Sequence, residues 1–359
     1  MIRRTDDLRA GTRQAYDAII DVRSPSEFAE DHLPGAMNLP VLDDAQRAEV
    51  GTLFVQRSKF LARRLGASYV ARNIADHLDG PLADRGGGFQ PLVYCWRGGQ
   101  RSTAVATVMD QVGWPVTQLD GGYQTWRRRV VSALYGGGDD AGISLMPVLL
   151  DGFTGSGKTD VLGRLATLGV QTLDLEGLAD HRGSLFGATP RPQPSQKAFE
   201  TRLYAAIETL DLSRPVVVEA ESSRVGQITL PPVLWAAMRT APRVQLTAPL
   251  AARVAYVVDQ YGTIGSDAEA LEAALRRLPR HHSRTLIETW RNLARGGRLA
   301  VLVEGLMTEH YDPAYRRSRG DAGQCLGEVE MTGVTSADLN AAAQLIATLV
   351  VGHQQTDLA

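Results

Sequence analysis

The stretch Pro91-Leu92-Val93-Tyr94-Cys95-Trp96-Arg97-Gly98-Gly99-Gln100-Arg101-Ser102 decides how the first part of the chain folds. An apolar run of strand type stops at a cysteine, adjacent glycines let the backbone curl, and a helical pattern continues from Ser102 to Val112. Strand, curled loop and helix in that order turn the loop amides and the helix N-terminus towards one point, where they can hold an anion. A free cysteine titrates near ~8.5. Here the amides, with the guanidinium groups of Arg97 and Arg101, are placed to hold Cys95 as a thiolate. A buried cysteine without such company is only a small hydrophobe, and the Arg-Gly-Gly flank argues against that reading.

The same grammar recurs at Pro147-Val148-Leu149-Leu150-Asp151-Gly152-Phe153-Thr154-Gly155-Ser156-Gly157-Lys158-Thr159. Gly-x4-Gly-Lys-Thr directly after a strand is the P-loop pattern in the context it requires. The expected diphosphate-binding residues are therefore Gly152, Thr154, Gly155, Ser156, Gly157, Lys158 and Thr159. Their amides would cradle the anion, Lys158 would neutralise it, and Thr159 could ligate Mg²⁺. Val216-Val217-Val218-Glu219-Ala220-Glu221-Ser222 looks like the acidic strand that accompanies such a loop, with Glu for the usual Asp. Strand alternation puts Glu219 and Glu221 on one side. Glu219 is taken as the second metal ligand, against the plainer reading that one of the two caps the next helix. Nothing in the loop says which phosphate compound enters, and nucleotide is only the default.

Working outward, strands are expected at 18–22, 92–94 and 116–119, with helices between 41 and 78 and after each loop. Strands alternating with helices imply a parallel sheet. A second set follows at 147–151, 170–174, 215–220 and 243–247, then a mostly helical part, with 327–332 as a last strand. The expected fold is α/β: a parallel-sheet domain over 1–135, a glycine-rich linker over 136–146, and a P-loop α/β domain with a helical C-terminal part over 147–359. A length of 359 residues, 44% hydrophobic and 22% charged, is comfortable for two globular domains.

No apolar run is long enough to span a bilayer, and the N-terminus lacks the apolar stretch of a secretion signal. Two cysteines, Cys95 and Cys325, make no disulfide framework. A cytoplasmic location, where a thiol stays reduced, is the expectation. A net charge of -2 gives no overall pull towards nucleic acid. Arginine nonetheless supplies 35 of the 38 basic residues; its planar fork suits phosphate, although a GC-rich genome gives the same bias. The arginine-rich stretches at 276–284, 291–298 and 316–319 are candidate RNA faces. Three further polar blocks accompany the P-loop: 174–184, which carries His181, Arg182, Gly183 and Ser184; 193–197; and 310–315, which carries Tyr311, Asp312 and Tyr315. Alone, each reads as a solvated turn; together with a P-loop they become candidates for substrate binding.

Asp21-Val22-Arg23-Ser24-Pro25-Ser26-Glu27-Phe28, then His32-Leu33-Pro34-Gly35-Ala36-Met37-Asn38-Leu39-Pro40, the cysteine loop, and Leu119-Asp120-Gly121-Gly122-Tyr123-Gln124-Thr125-Trp126 resemble, in order, the signatures of rhodanese domains. That resemblance implies a loop cysteine that carries sulfur or selenium, here Cys95. Cys-x5-Arg is also the spacing of dual-specificity phosphatases and arsenate reductases, which stand as alternatives for this domain, as does a plain sulfurtransferase with an accessory nucleotide-binding domain. A rhodanese domain fused to a P-loop domain, with the 174–187 block and Tyr311-Asp312-Pro313-Ala314-Tyr315, resembles the tRNA 2-selenouridine synthase family over nearly the whole chain. The resemblance implies replacement of the 2-thio sulfur of the tRNA wobble uridine by selenium from selenophosphate. It also implies an S-geranyl intermediate made from geranyl diphosphate, with Mg²⁺ and no tightly bound cofactor. The implied partners are tRNA and an enzyme that supplies selenophosphate, with no membrane.

Overall fold

The computed structural model describes residues 1–359 apart from 137–141, 183–190, 221, 261–270, 273–274, 277, 279–281, 319–322 and 358–359. The chain divides into two compact units: Met1–Gly142 with Pro194–Thr209, and Ile143–Gln193 with Leu210–Ala359.

The first unit is built on β1 (Arg3–Thr5), β2 (Ala18–Asp21), β3 (Ala36–Asn38), β4 (Pro91–Tyr94) and β5 (Thr117–Leu119). They form one five-stranded sheet in the order β1-β5-β4-β2-β3, parallel at every pairing. Such a sheet is covered on both faces, which is why β4 reads as an unbroken buried run rather than an alternating one. The core gathers Ile20, Val22, Val93, Val105, Met109, Trp114 and Val116. The strands expected at 18–22, 92–94 and 116–119 are present. The edge strands β1 and β3, three residues each, are too short to give a periodic signal. Helices Asp44–Gln56 and Lys59–Asp79 form a hairpin over the region expected to be helical.

The second unit carries β6 (Pro147–Gly152), β7 (Gln171–Leu173), β8 (Val216–Glu219), β11 (Arg243–Thr247) and β12 (Cys325–Glu330), again all parallel, in the order β12-β11-β6-β8-β7. A short antiparallel hairpin, β9 (Arg224–Val225) with β10 (Ile228–Thr229), stands apart. Helices Lys158–Thr167 and Ser336–Asp357 cover the sheet through Val161, Leu162, Leu165, Leu339, Ala342 and Ile346. The helical part expected before the last strand includes Arg284–Arg295 and Leu299–Leu306 around a second apolar cluster with Trp290 and Leu302.

The division differs from the expected one at 194–209. Helix Gln196–Ile207 lies within the stretch assigned by sequence to the P-loop domain, yet it packs into the first unit. Its polar residues explain the placement. Thr201 donates to Asp31 at 3.0 Å and accepts from Trp126 Nε1 at 3.1 Å. Glu200 accepts from Tyr135 at 2.6 Å and also pairs with Arg127. Glu208 pairs with the buried Arg13 at 2.7 Å. An amphipathic pattern tells that a helix buries one face but not against which partner.

Removing one member of a buried ion pair leaves the other charge stranded. Glu200→Ala is therefore expected to cost about 3 kcal/mol, read as a lower urea midpoint for the first unit's transition. A variant as stable as the parent would mean that the helix is not anchored by this contact.

Candidate functional site

Cys95 follows directly on β4, the middle strand of its sheet, and is 3% exposed. The Gly99 amide donates to its Sγ at 3.3 Å and the Ser102 hydroxyl donates at 3.2 Å. Both donors belong to the turn that opens helix Gln100–Val112, so the thiol lies at that helix's positive end. Gln118 on β5 holds the turn from below, its amide nitrogen donating to Gly98 O, Ser102 Oγ and Thr103 Oγ1 at 3.1, 2.9 and 3.0 Å. The loop after β5 seals one wall: Tyr123 N donates to Cys95 O at 2.8 Å and Gln124 N to Trp96 O at 3.2 Å. Only glycine fits at 122, where φ is +58° and a Cβ would meet Cys95 O at 2.2 Å.

The loop after β2 supplies the other wall. Asp21 and Arg23, both buried, form a bidentate pair, with Nε–Oδ1 at 3.0 Å and Nη2–Oδ2 at 2.6 Å. The Arg23 guanidinium lies 4.1 Å over the Tyr123 ring, which itself tilts against Trp96 at 5.2 Å. Tyr123 OH donates to Asp31 Oδ2 at 2.7 Å. Burial pushes the Asp31 carboxyl up, with the Tyr123 and Thr201 hydroxyls working against it.

Of the residues expected in this loop, Trp96 is half-buried, Arg97 and Gln100 are exposed, and Ser102 is buried beside the thiol. Arg101 has another partner: its guanidinium binds Glu27 at 2.7 Å. Burial pushes Glu27 up, but Arg101, the Ser24 amide and Arg47 together hold the carboxyl below its ordinary range. Sequence reasoning placed Arg101 at the thiol without seeing Glu27, which also reaches back to the Ser24 amide at 3.2 Å at the start of its own helix.

The P-loop follows β6, again the middle strand. Gly155 and Gly157 have φ of +81° and +75°. A Cβ on Gly155 would meet Arg253 O at 2.9 Å, so the loop lies tightly on helix Leu250–Gln260. Lys158 Nζ donates to Gly152 O at 2.8 Å. Thr154 O accepts from Arg253 at 3.1 Å. Ser156 is 1% exposed and its hydroxyl has no hydrogen-bond partner among the described residues.

The 310–315 block comes to this loop. Gly152 N donates to Tyr315 OH at 2.8 Å. Asp312 forms a buried bidentate pair with Arg253 at 3.0 and 2.8 Å, while the Arg253 and Arg316 guanidiniums lie 5.1 and 5.3 Å over the Phe153 ring. Arg253 was not singled out in the sequence, although a lone arginine in the apolar run Leu250–Val258 is the kind of signal that marks a buried charge. Tyr311 follows His310, with ring centroids 4.9 Å apart.

Glu219 ends β8, directly beside β6 in register with Leu150. It is fully buried, and among the described residues neither carboxylate oxygen has a hydrogen-bond partner within 3.5 Å. Burial, then the charges of Glu176 and Asp174, push its carboxyl up to about 8, with Thr159 and Lys158 opposing. Thr159 Oγ1 donates to Glu176 at 3.4 Å. A buried carboxylate and a P-loop hydroxyl are oxygen donors of the hard kind that Mg²⁺ takes; among the described residues no group of three acidic or imidazole side chains able to hold a metal occurs, and Asp174 is spent on its own helix, accepting from Gly177 N at 2.7 Å. Glu221 lies outside the described residues.

The remaining candidates are placed as follows. His181 is half-buried and burial holds its imidazole below the ordinary value. Arg182 is exposed, and Gly183 and Ser184 lie outside the described residues. In the 193–197 segment Gln193 ties Val225 O and Gln227 N at 3.1 and 2.8 Å, Ser195 caps a helix, and Lys197 pairs with Glu30. Arg276, Arg291 and Arg295 are paired with Glu272 or Glu288.

With this geometry in place, the likenesses to known proteins are specific. The family described as the tRNA 2-selenouridine synthase AAA domain matches residues 145–295, and the rhodanese-like domain matches residues 5–129. The chain is similar to the tRNA 2-selenouridine synthase of Cupriavidus pinatubonensis, 37% identical over 264 residues covering 71% of this chain and 68% of that one. It is 39% identical over 248 residues to that of Aeromonas salmonicida, covering 68% and 64%. It is 33% identical over 352 residues to that of Pseudomonas fluorescens, covering 90% and 93%. The chain belongs to the tRNA 2-selenouridine synthase family.

A β-carbon at 122 would collide with backbone, not with a movable side chain. Gly122→Ala is expected to cost about 2 kcal/mol or more and to leave the Cys95 thiol misplaced. Thermal melting and the rate of Cys95 alkylation check this; unchanged values for both would show that the cysteine loop does not depend on that close approach.

Proposed function

We propose that the chain replaces the 2-thio sulfur of a tRNA wobble uridine by selenium, using geranyl diphosphate at the P-loop and selenophosphate at the cysteine loop. The observation that carries this is the presence of two anion cradles in one family member, one of them lined by a thiol. The paired Arg101 weighs against the phosphatase and arsenate reductase readings, which need that guanidinium turned to the bound oxyanion.

At the P-loop, the amides of Gly155 to Thr159 and the Lys158 ammonium would bind the diphosphate. Thr159 and Glu219 would hold Mg²⁺, whose chemistry is to neutralise the departing diphosphate. The thiouridine sulfur attacks C1 of the geranyl group, the C1–O bond breaks, and diphosphate leaves. The sulfur then departs from the base as a thiol, a far better leaving group than a sulfide dianion. Selenium adds at C2 of the base as geranyl thiol is expelled. It comes from selenophosphate held by the Gly99 amide and Arg97 beside Cys95: the C2–Se bond forms as the C2–S bond breaks, and water then cleaves the Se–P bond to release phosphate. A wobble base is unpaired in its loop, so extruding it costs little compared with flipping from a duplex.

Cys95→Ser is expected to abolish 2-selenouridine while S-geranyl-2-thiouridine accumulates, and Lys158→Ala to lose both products. Each variant is incubated with thiolated tRNA, geranyl diphosphate and selenophosphate, and the nucleosides are quantified. Normal selenation by Lys158→Ala without any geranyl nucleoside would sink the two-step scheme.

Calorimetry with Mg²⁺ distinguishes the ligand of the second cradle. Geranyl diphosphate should bind and Lys158→Ala should weaken it by about 1.5–3 kcal/mol, as for a charge-assisted hydrogen bond. Tight ATP binding with no geranyl diphosphate binding would reassign the P-loop domain as a nucleotide module.

A further inference from the structure

The hairpin of helices Asp44–Gln56 and Lys59–Asp79 in the first unit has a role that neither cradle accounts for. Its turn is only Arg57-Ser58, and its two helices are braced near the base: Asn73 donates to Gln46 at 2.8 Å and to Val41 O at 2.9 Å, and Tyr69 OH donates to Glu49 at 2.7 Å. Gly66 brings the backbones close, since a Cβ there would touch Val50 at 3.4 Å. This is a stiff projection.

Its tip breaks the usual rules for a solvated helix pair. Phe54, Val55, Phe60 and Leu61 are 43, 83, 70 and 38% exposed, an apolar tip open to solvent among the described residues. Between Glu49 and Asp76 there is no acidic residue, while Arg57, Lys59, Arg63, Arg64 and Arg72 supply five cations, all exposed. None of the five forms an ion pair among the described residues, in contrast to Arg276, Arg291 and Arg295 with their glutamates. Lys59 Nζ lies 5.7 Å over the Phe54 ring, mixing the two kinds of group.

We infer that this hairpin tip is a docking surface for the substrate tRNA, a conclusion that rests on the proposed function above. Unpaired cations take up phosphates with release of counterions, and exposed aromatic rings stack on unpaired bases without regard to sequence. The surface also leads towards the chemistry. The first helix of the hairpin borders an open surface groove of about 570 Å³ lined by Arg47, Thr52 and Val55 on one side and by Ser24, Ser26 and Glu27 on the other. Glu27 is the partner of Arg101 in the cysteine loop. RNA held on the tip would therefore be delivered along the wall of the Cys95 site.

The test compares the full chain with the quadruple variant R57A/K59A/R63A/R64A and with Phe60→Ala, using a fluorescently labelled tRNA transcript over a range of salt concentrations. The quadruple variant should bind at least ten times more weakly at low salt, with the slope of log K against log salt reduced by about 3, from four lost phosphate contacts. Phe60→Ala should weaken binding about tenfold by loss of one stack with the slope unchanged. Parental affinity and slope in the quadruple variant, with the parent binding tRNA, would overturn the hairpin assignment and leave the tRNA reading standing. A parent that binds no tRNA would overturn both. A parent whose tip residues bind phosphatidylglycerol vesicles, while tRNA affinity ignores them, would overturn the inference in favour of a membrane surface.

Discussion

Backbone amides can hold an anion only where the chain leaves its hydrogen-bonded ladder with the N–H groups still unspent, and both cradles are built at the one place that arrangement is walled on two sides. Each follows the middle strand of a five-stranded parallel sheet, β4 in one unit and β6 in the other. Parallel order puts the loops after both neighbouring strands at the same end. In the first unit these loops bring Gly122 and Tyr123 from one side and Arg23 from the other. In the second they bring Glu219 from one side and, through the helix after β11, Arg253 from the other. The chemistry differs, but the constraint that positions it is shared.

Each wall is stiffened by a buried bidentate arginine–carboxylate pair, Arg23–Asp21 and Arg253–Asp312. Such pairs recover in attraction about what they lose in desolvation, so they are better understood as fixing geometry than as adding stability. Their value lies in what the guanidinium does with its remaining surface. Arg23 lies against Tyr123 and donates to Asp31 O; Arg253 donates to Thr154 O and lies against Phe153. Both hold a cradle in shape from behind.

Much of this was legible in the sequence, and what was not has physical reasons. The two loops, the middle strands and Glu219 announce themselves locally, because glycine spacing and apolar runs are properties of a few consecutive residues. The Tyr311–Tyr315 block could be noticed as polar but not placed, since its contact with Gly152 spans a separation of 163 residues. Arg101 shows the limit from the other side: its spacing to Cys95 is right, and only the fold reveals that Glu27 has claimed it. The arginine-rich stretches show the same limit: Glu288 can be read beside Arg291 and Arg295 in the sequence, but Glu272 reaches those two arginines only through the fold. Helix Gln196–Ile207 had a readable face and an unreadable partner.

That donated helix bears on how such a chain could have been assembled. Two domains joined once can be shuffled, duplicated or lost as separate genes. Here the chain runs from the first unit to the second, returns for 194–209, and leaves again, so the boundary is crossed three times. A recombination event at the glycine-rich joint would deliver a rhodanese-type gene lacking the residues that meet Asp31, Arg13 and Trp126. Descendants of a simple fusion that acquired this return would be held together by selection on folding itself, independent of any advantage in keeping the two chemistries side by side.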